Sequence, residues 1–127
     1  MCKGLKEVQD KKTGGWVLGV DKRDNPLNFV DPSGTAMFVY SIQRGVELGL
    51  LKAKEYTPVA YRGYQSLFPF IQVNDRGLLD VIGACDGVVI KKNFIEYVTV
   101  PKILNAKEAV AGILWAAVIM ETEQLKK

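Results

Sequence analysis

The segment best suited to hold a ligand is an acidic residue followed by proline and a run of small side chains. Asp31 can accept hydrogen bonds from first-turn backbone amides, and Pro32 fits the first helical position, where its missing N–H costs nothing. Small side chains let another backbone or a ligand approach this positive helix end closely. These side chains belong to Ser33, Gly34, Thr35 and Ala36. A tightly packed helix start and a binding site both remain open interpretations.

The residue types present limit the chemistry, because the chain contains no histidine and two cysteines. Ser-His-Asp or Cys-His catalysis, histidine-ligated zinc and histidine-carboxylate iron sites all need an imidazole that this chain does not supply. Cys2 and Cys85 lie far apart, and neither has a second cysteine nearby at ligand spacing. We therefore predict two unpaired thiols, no metal site and no cofactor. Carboxylate chemistry or binding remains.

Three further side chains could take part in such chemistry. Trp16 follows the turn signal Thr13-Gly14-Gly15 and is predicted on a loop, as a lid over the core or as a platform for a sugar ring. Asp80 and Asp86 lie among turn signals. Each could face a cleft in an independent enzyme, or could be a solvated carboxylate that stabilises a turn.

Helices must position these residues. Apolar periodicity predicts a first helix over Met1 to Gln9 and a second from Pro32 to about Leu50. The second helix should bury two adjacent stripes, Met37, Ser41, Arg44, Leu48 and Leu51 beside Phe38, Ile42 and Val46. Thr57-Pro58 repeats the signal of a cap followed by proline and predicts the start of a third helix. A short loop joins the second and third helices, so they should pack antiparallel.

The pattern changes in the second half of the chain. From Phe70 to about Thr99, short apolar pieces alternate with glycines and an Asn74 to Gly77 turn, which predicts loops with short strands. Phe94 to Val100 is rich in β-branched and aromatic residues and is predicted to be extended. Asn105 and Glu108 have the spacing of a capping box at the start of a last helix.

Length and composition describe one globular domain, because 48% of the 127 residues are apolar and 24% are charged. The net charge of +3 is spread along the chain without a basic stripe, so we predict no nucleic-acid partner. No apolar run is long enough to span a bilayer, and we predict no membrane partner. The longest run, Ala109 to Met120, is apolar on nearly every face and must be surrounded. The predicted helices supply only part of that surround, so we expect more protein to cover it.

Five groups of residues resemble one protein family in their order and spacing. They are Leu5-x-x-Val8-Gln9-x-x-x-Thr13-Gly14-x-Trp16; Asp21; Asn28-Phe29-x-Asp31-x-Ser33-Gly34-Thr35-Ala36-Met37-Phe38; Gly45-x-x-x-Gly49-x-Leu51; and Tyr61-x-Gly63-Tyr64. The family is the unsaturated rhamnogalacturonyl hydrolases, glycoside hydrolase family 105, relatives of the unsaturated glucuronyl hydrolases of family 88. The likeness continues through Glu96-Tyr97 to the last helix and so covers essentially the whole chain.

The resemblance implies a mainly α fold, the C-terminal part of an (α/α)6 toroid built from antiparallel helix hairpins with short strands or loops between them. Residues 1–127 would form one C-terminal fragment of a single hydrolase domain. In the family, an aspartate protonates the double bond of a 4,5-unsaturated uronic acid and activates water. The resulting hemiketal opens and releases the neighbouring sugar. That aspartate lies upstream of the matched region, so the resemblance assigns no catalytic residue to this chain.

The resemblance also implies which residues line the substrate cleft. Trp16 would be an apolar wall, and the helix end formed by Asp31, Ser33, Gly34 and Thr35 would line the cleft and supply donors for a sugar or a carboxylate. Asp31 stands where the family more often has Glu, and Phe29 where Tyr is usual. Asn105-Ala106-Lys107-Glu108 departs from the common family pattern, so the resemblance assigns no cleft role to that segment.

We therefore predict part of a glycoside hydrolase that acts on unsaturated uronic-acid oligosaccharides from pectin-like polysaccharides, with this chain alone inactive. Its partners would be the oligosaccharide and either the missing N-terminal part of the toroid or a second copy of this chain. The compartment, cytoplasm or periplasm, stays open. The alternative is a small helical module that self-associates or binds a partner and has no enzymatic role.

Overall fold

The computed structural model describes the backbone of residues 1–125 and the side chains of residues 1–122. The chain is mainly helical, as predicted, with short strands between the helices. In chain order the elements are α1 (Cys2–Val8), α2 (Pro32–Glu47), α3 (Ala53–Gln65), a 3₁₀ turn (Phe68–Phe70), β1 (Ile71–Val73), β2 (Leu79–Val81), β3 (Ala84–Cys85), α4 (Phe94–Val98), β4 (Lys102–Ile103) and α5 (Lys107–Leu125). Within the described residues, no helix has the length and apolar character needed to cross a membrane.

Helix α2 is the centre of the fold and packs against both α3 and α5. The connection of residues 48–52 reverses the chain, so α3 runs back along α2 and Gly63 lies beside Val39. This confirms the predicted antiparallel hairpin. A side chain at Gly63 would collide with Trp16 and Val39, so the absence of a Cβ allows this close approach.

The buried face of α2 differs from the prediction. The residues it buries are Pro32, Thr35, Ala36, Val39, Ile42 and Gln43. Of the predicted stripes only Ile42 is fully buried, whereas Met37, Ser41, Arg44 and Leu48 are exposed. The prediction followed the bulkiest apolar residues, but α3 and α5 approach α2 over its small residues, where close helix contact is possible.

Two predicted helix boundaries were displaced. Helix α2 ends at Glu47 because Gly49 adopts a left-handed conformation, with φ of 70°, and the following amide of Leu50 bonds to Gly45 O at 2.9 Å. Helix α3 begins at Ala53, since Lys52 O accepts from the amides one turn ahead, and Pro58 lies inside the helix. The carbonyl that faces the missing N–H of Pro58 belongs to Lys54, an exposed residue that water can reach.

The short strands form two antiparallel pairs, β1 with β2 and β3 with β4. In the first pair Gln72 lies opposite Asp80. The predicted turn from Asn74 to Gly77 joins these strands, with the Asn74 side chain accepting from the amide of Leu78 at 3.1 Å. This part of the sequence prediction is confirmed.

The segment predicted to be extended, Phe94 to Val100, is instead largely helix α4. Asn93 caps this helix, because its Oδ1 accepts from Glu96 N at 3.0 Å and its Nδ2 donates to Glu96 Oε1 at 3.1 Å. The β-branched and aromatic composition was outweighed by this local cap.

The predicted capping box at Asn105 is also wrong. Asn105 has φ of 55°, and its side chain accepts from Val81 N at 2.7 Å and donates to Asp80 Oδ1 at 2.8 Å. Its amide therefore ties the start of α5 to strand β2. The first-turn amides of α5 bond to Ala106 O instead, and the helix begins at Lys107.

Helix α5 is covered on one side by α2 and α3 and is open on the other. It buries Ala109, Ile113, Ala116, Ile119 and Met120. On the opposite side Leu114 and Val118 are 60% and 68% exposed, and Trp115, at the edge beside Tyr40 of α2, is 62% exposed. The apolar run thus lacks a complete surround among the described residues, as the sequence predicted.

Candidate functional site

A recess of about 210 Å³ lies at the start of α2, where three separate segments meet. The loop after α1, the first two turns of α2 and helix α4 form it. Its walls are mostly apolar, with one acidic residue. The lining residues are Trp16, Val17, Leu18, Val20, Asp31, Gly34, Phe38 and Tyr97.

Asp31 is the charged residue of the recess and is only 8% exposed. Its Oδ2 accepts from Ser33 Oγ at 2.7 Å and from Gly34 N at 2.8 Å, and its carbonyl accepts from Thr35 N at 3.0 Å. The predicted cap at Asp31 is therefore confirmed. The other carboxylate oxygen, Oδ1, is buried and has no hydrogen-bond partner among the described residues.

Both backbone polar groups of Trp16 are hydrogen-bonded. Its N–H donates to Thr35 Oγ1 at 3.1 Å, and its carbonyl accepts from Asp31 N at 3.1 Å. A bridge between Val17 and Val30 continues this pairing. The loop that carries Trp16 is thus fixed to the start of α2 by backbone hydrogen bonds.

The indole of Trp16 belongs to the core. It is 1% exposed, its Nε1–H donates to Leu5 O at 2.8 Å, and its ring meets Phe38 edge to face with centroids 5.5 Å apart. Trp16 is also one of the residues that line the recess. Of the two interpretations of this loop tryptophan, the geometry within this chain matches the lid over the core.

The structure brings together three of the five predicted substrate-binding residues as recess walls, namely Trp16, Asp31 and Gly34. Ser33 and Thr35 support these walls through hydrogen bonds, and Thr35 is fully buried. The expected free amide donors are absent at Gly34 and Thr35, because both amides already bond to Asp31. The substrate contacts themselves stay a prediction.

Sequence reasoning missed two neighbours of Asp31. Tyr97 lines the recess from α4, and the buried thiol of Cys85 lies within electrostatic range of the carboxylate. Burial, then the charge of Asp31, raises the pKa of Cys85, whereas Lys102 opposes the shift. No local spacing links these positions to Asp31. The Asn93 cap was the one available signal that Tyr97 lies on a helix.

The other candidate carboxylates do not form a catalytic pair. Asp80 accepts from Asn105 and so fixes the start of α5, and Asp86 is exposed. The described residues contain no group of three or more His, Cys, Asp or Glu side chains that could hold a metal ion.

Larger cavities lie elsewhere. One of about 420 Å³ lies between the turn of Lys11 to Gly14 and the end of α3. Another, about 600 Å³, is an apolar groove between the β1–β2 hairpin and α5, lined in part by Ile71, Val81 and Leu114. A third, about 330 Å³, lies between α2 and Trp115 of α5. None of these three contains a carboxylate of the predicted site.

Solved structures of family 105 glycoside hydrolases have a fold similar to that of this chain. Its similarity to a family 105 glycoside hydrolase from C. acetobutylicum has a TM-score of 0.84 at 27% identity and covers 95% of this chain and 35% of that one. Possible family 105 members from Klebsiella pneumoniae and Salmonella enterica give TM-scores of 0.71 and 0.72 at 20% and 19% identity, with 30% of each covered. These proteins have the (α/α)6 toroid fold. The chain spans about a third of their length.

A comparison with family models covers nearly the whole chain, since residues 1–124 match the model of Glycosyl Hydrolase Family 88. Together with the likeness to family 105, this match confirms the relation drawn from the sequence motifs. The chain belongs to glycosyl hydrolase family 88 and folds as part of an (α/α)6 toroid.

Proposed function

We propose that these residues form the C-terminal part of a hydrolase that acts on unsaturated uronic-acid oligosaccharides derived from pectin-like polysaccharides. The observation that carries the proposal is the family match over residues 1–124, together with coverage of only 35% of the C. acetobutylicum relative. The family relation supports hydrolysis of a glycosidic bond. The choice of unsaturated uronide rests on the resemblance of the motifs around Trp16 and Asp31.

The reaction we propose is hydration of the 4,5 double bond. An acid delivers a proton to that bond, water adds to the carbon that bears the ring oxygen, and the hemiketal formed opens to release the neighbouring sugar. Residues of this chain would bind and orient the sugar, because its one buried carboxylate in the recess, Asp31, already serves as a helix cap through Oδ2. The proton donor would come from the remaining two thirds of the toroid, so this chain alone should be inactive.

A second function deserves a test because of the exposed side of α5. Leu114, Trp115 and Val118 form an apolar surface, and the ring of Trp115 lies 5.2 Å from that of Tyr40 on α2. Such a surface favours association. It supports the alternative of a helical module that binds a partner or a second copy of itself without catalysis.

Light scattering followed by an absorbance assay on the same sample tests these proposals. The assay follows the ultraviolet absorbance of an unsaturated uronide disaccharide. A self-associated and inactive chain agrees with part of a toroid whose open helix side pairs with another copy, and equally with a module that self-associates. A compact inactive monomer favours a module that binds a different partner. A compact monomer that consumes the uronide would contradict the view that the proton donor lies outside these residues.

A further inference from the structure

We propose that the recess at the start of α2 binds one neutral sugar unit, whose hydroxyl donates to Asp31 Oδ1, and that it rejects a uronate carboxylate. The sugar class of the ligand rests on the proposed function. The choice of a neutral unit rests on the geometry of the recess alone. The inference reverses the expectation that the helix start donates to a carboxylate.

Asp31 provides a buried hydrogen-bond acceptor at the recess. Asp31 is 8% exposed, and its Oδ1 has no hydrogen-bond partner among the described residues. A buried carboxylate oxygen without a donor is unfavourable, so a ligand that brings a donor is stabilised there. Asp31 lines the recess, so a ligand there would approach Oδ1 while Oδ2 keeps its bonds to Ser33 and Gly34.

The charge of the recess decides which ligand it accepts. The amides of Gly34 and Thr35, which could have bound an anion at the end of the helix, already bond to Asp31. Among the residues that the structure describes, no lysine or arginine lines the recess. A uronate carboxylate would meet the like charge of Asp31 in poorly hydrated surroundings without a compensating cation. A hydroxyl, in contrast, forms a charge-assisted bond with the same oxygen.

The shape of the recess also favours a sugar ring. The walls supplied by Val17, Leu18, Phe38 and Tyr97 are suited to the apolar face of a sugar ring, with a single acceptor to orient it. The recess has a volume of about 210 Å³. It suits one sugar unit and not a longer oligosaccharide, so the uronate would lie outside this recess.

The test uses NMR on the 127-residue chain with two probes, methyl α-L-rhamnoside and the methyl glycoside of galacturonate. The chain has two tryptophans, so the indole N–H of Trp16 reports on the recess that this residue lines, and that of Trp115 on a separate cavity beside Tyr40. The rhamnoside should shift the Trp16 signal with at least about tenfold higher affinity than the uronide. Trp115 should not respond.

A variant identifies the acceptor. Asp31→Asn keeps a capping side chain of similar strength but removes the charge. It should weaken rhamnoside binding by about tenfold and abolish the preference over the uronide. Asp10→Asn is the matched control, because Asp10 caps a turn through Thr13 and lies outside the recess. It should bind as the wild type does.

Three results would overturn the inference: equal binding of the uronide, no response of Trp16 to either probe, or unchanged binding in Asp31→Asn. These failures are separate from failure of the proposed function. An active hydrolase whose recess ignores rhamnoside would keep the function and refute the subsite. Rhamnoside binding without uronide hydration in the complete toroid would do the reverse.

Discussion

Thr35 and Trp16 are joined by two contacts that fix the loop before α2 to the first turn of that helix. Thr35 Oγ1 accepts from Trp16 N at 3.1 Å and donates to Trp16 O at 3.4 Å, with Thr35 fully buried. One hydroxyl thus satisfies both backbone groups of a residue 19 positions earlier. This relationship determines where the walls of the recess stand.

Replacing Thr35 by valine should destabilise the fold. The two side chains have nearly the same shape, but Thr35→Val leaves the buried amide of Trp16 without an acceptor. We expect a loss of about 1–3 kcal/mol in the free energy of unfolding, measured by urea denaturation. Ser41→Ala is the control, since Ser41 is exposed and should change stability by less than about 0.5 kcal/mol. Equal stability of Thr35→Val and wild type would contradict the role assigned to this hydroxyl.

The contact between α2 and α3 should depend on Gly63. A Cβ at this position would lie 2.7 Å from both Trp16 Cζ3 and Val39 Cγ2, closer than carbon atoms can pack. Gly63→Ala should therefore cost about 1–3 kcal/mol, seen as a lower thermal midpoint. Gly4→Ala is the matched control in α1, where a Cβ meets no other described part of the chain within 4 Å. It should raise the free energy of unfolding by about 0.5–1 kcal/mol. If Gly63→Ala gained stability as Gly4→Ala does, the close packing of Gly63 against Trp16 and Val39 would be refuted.

Gln43 should be replaceable with a gain in stability. It is fully buried in α2, and neither Oε1 nor Nε2 has a hydrogen-bond partner among the described residues. Methionine has similar length and no such polar groups, so Gln43→Met should raise the free energy of unfolding by about 1–3 kcal/mol. Gln65→Met, at an exposed site, should stay within about 0.5 kcal/mol of wild type. Destabilisation by Gln43→Met would show that the amide is satisfied.

Stability should fall at alkaline pH because of Tyr64. Burial, then the hydrogen bond to Glu121 at 3.0 Å and the charge of that residue, raises the pKa of Tyr64 from 10.0 to about 12. The unfolded phenol loses its proton first as pH rises. The stabilisation is therefore complete below pH 10 and is lost as pH rises toward 12.

Urea midpoints at pH 9 and pH 11 test this dependence. Tyr64→Phe should lose less stability between the two values than wild type does, because the shifted phenol is gone. Tyr61→Phe, at a residue 42% exposed, should follow the wild type. A drop in Tyr64→Phe as large as that of wild type would assign the alkaline loss to other groups.

Local signals predicted the elements that depend on a few neighbouring residues. The cap at Asp31, the Asn74 turn and the reversal between α2 and α3 follow from residue types within a few positions. The family relation was also available from the sequence, because its motifs keep their order along the chain. The errors at Phe94 and Asn105 arose where a cap and a long-range hydrogen bond competed with composition and spacing.

The recess could not be predicted as a unit. Its walls come from positions 16–20, 31–38 and 97, and their meeting depends on how α2 packs. The sequence marked Asp31 and Gly34 but could not show that Asp31 uses the nearby amides itself. Burial of Trp16 likewise depends on Gly63, which lies 47 positions later and whose small size carries no local signal.

The most direct test of the central claim is the absorbance of an unsaturated rhamnogalacturonan disaccharide in the presence of a chimeric enzyme. Residues 1–124 would replace the matched third of the C. acetobutylicum family 105 hydrolase, and that parent protein would be assayed beside the chimera. We predict that the chimera consumes the double bond, while the 127-residue chain alone does not. A chimera that unfolds cooperatively but leaves the absorbance unchanged, where the parent removes it, would contradict the account.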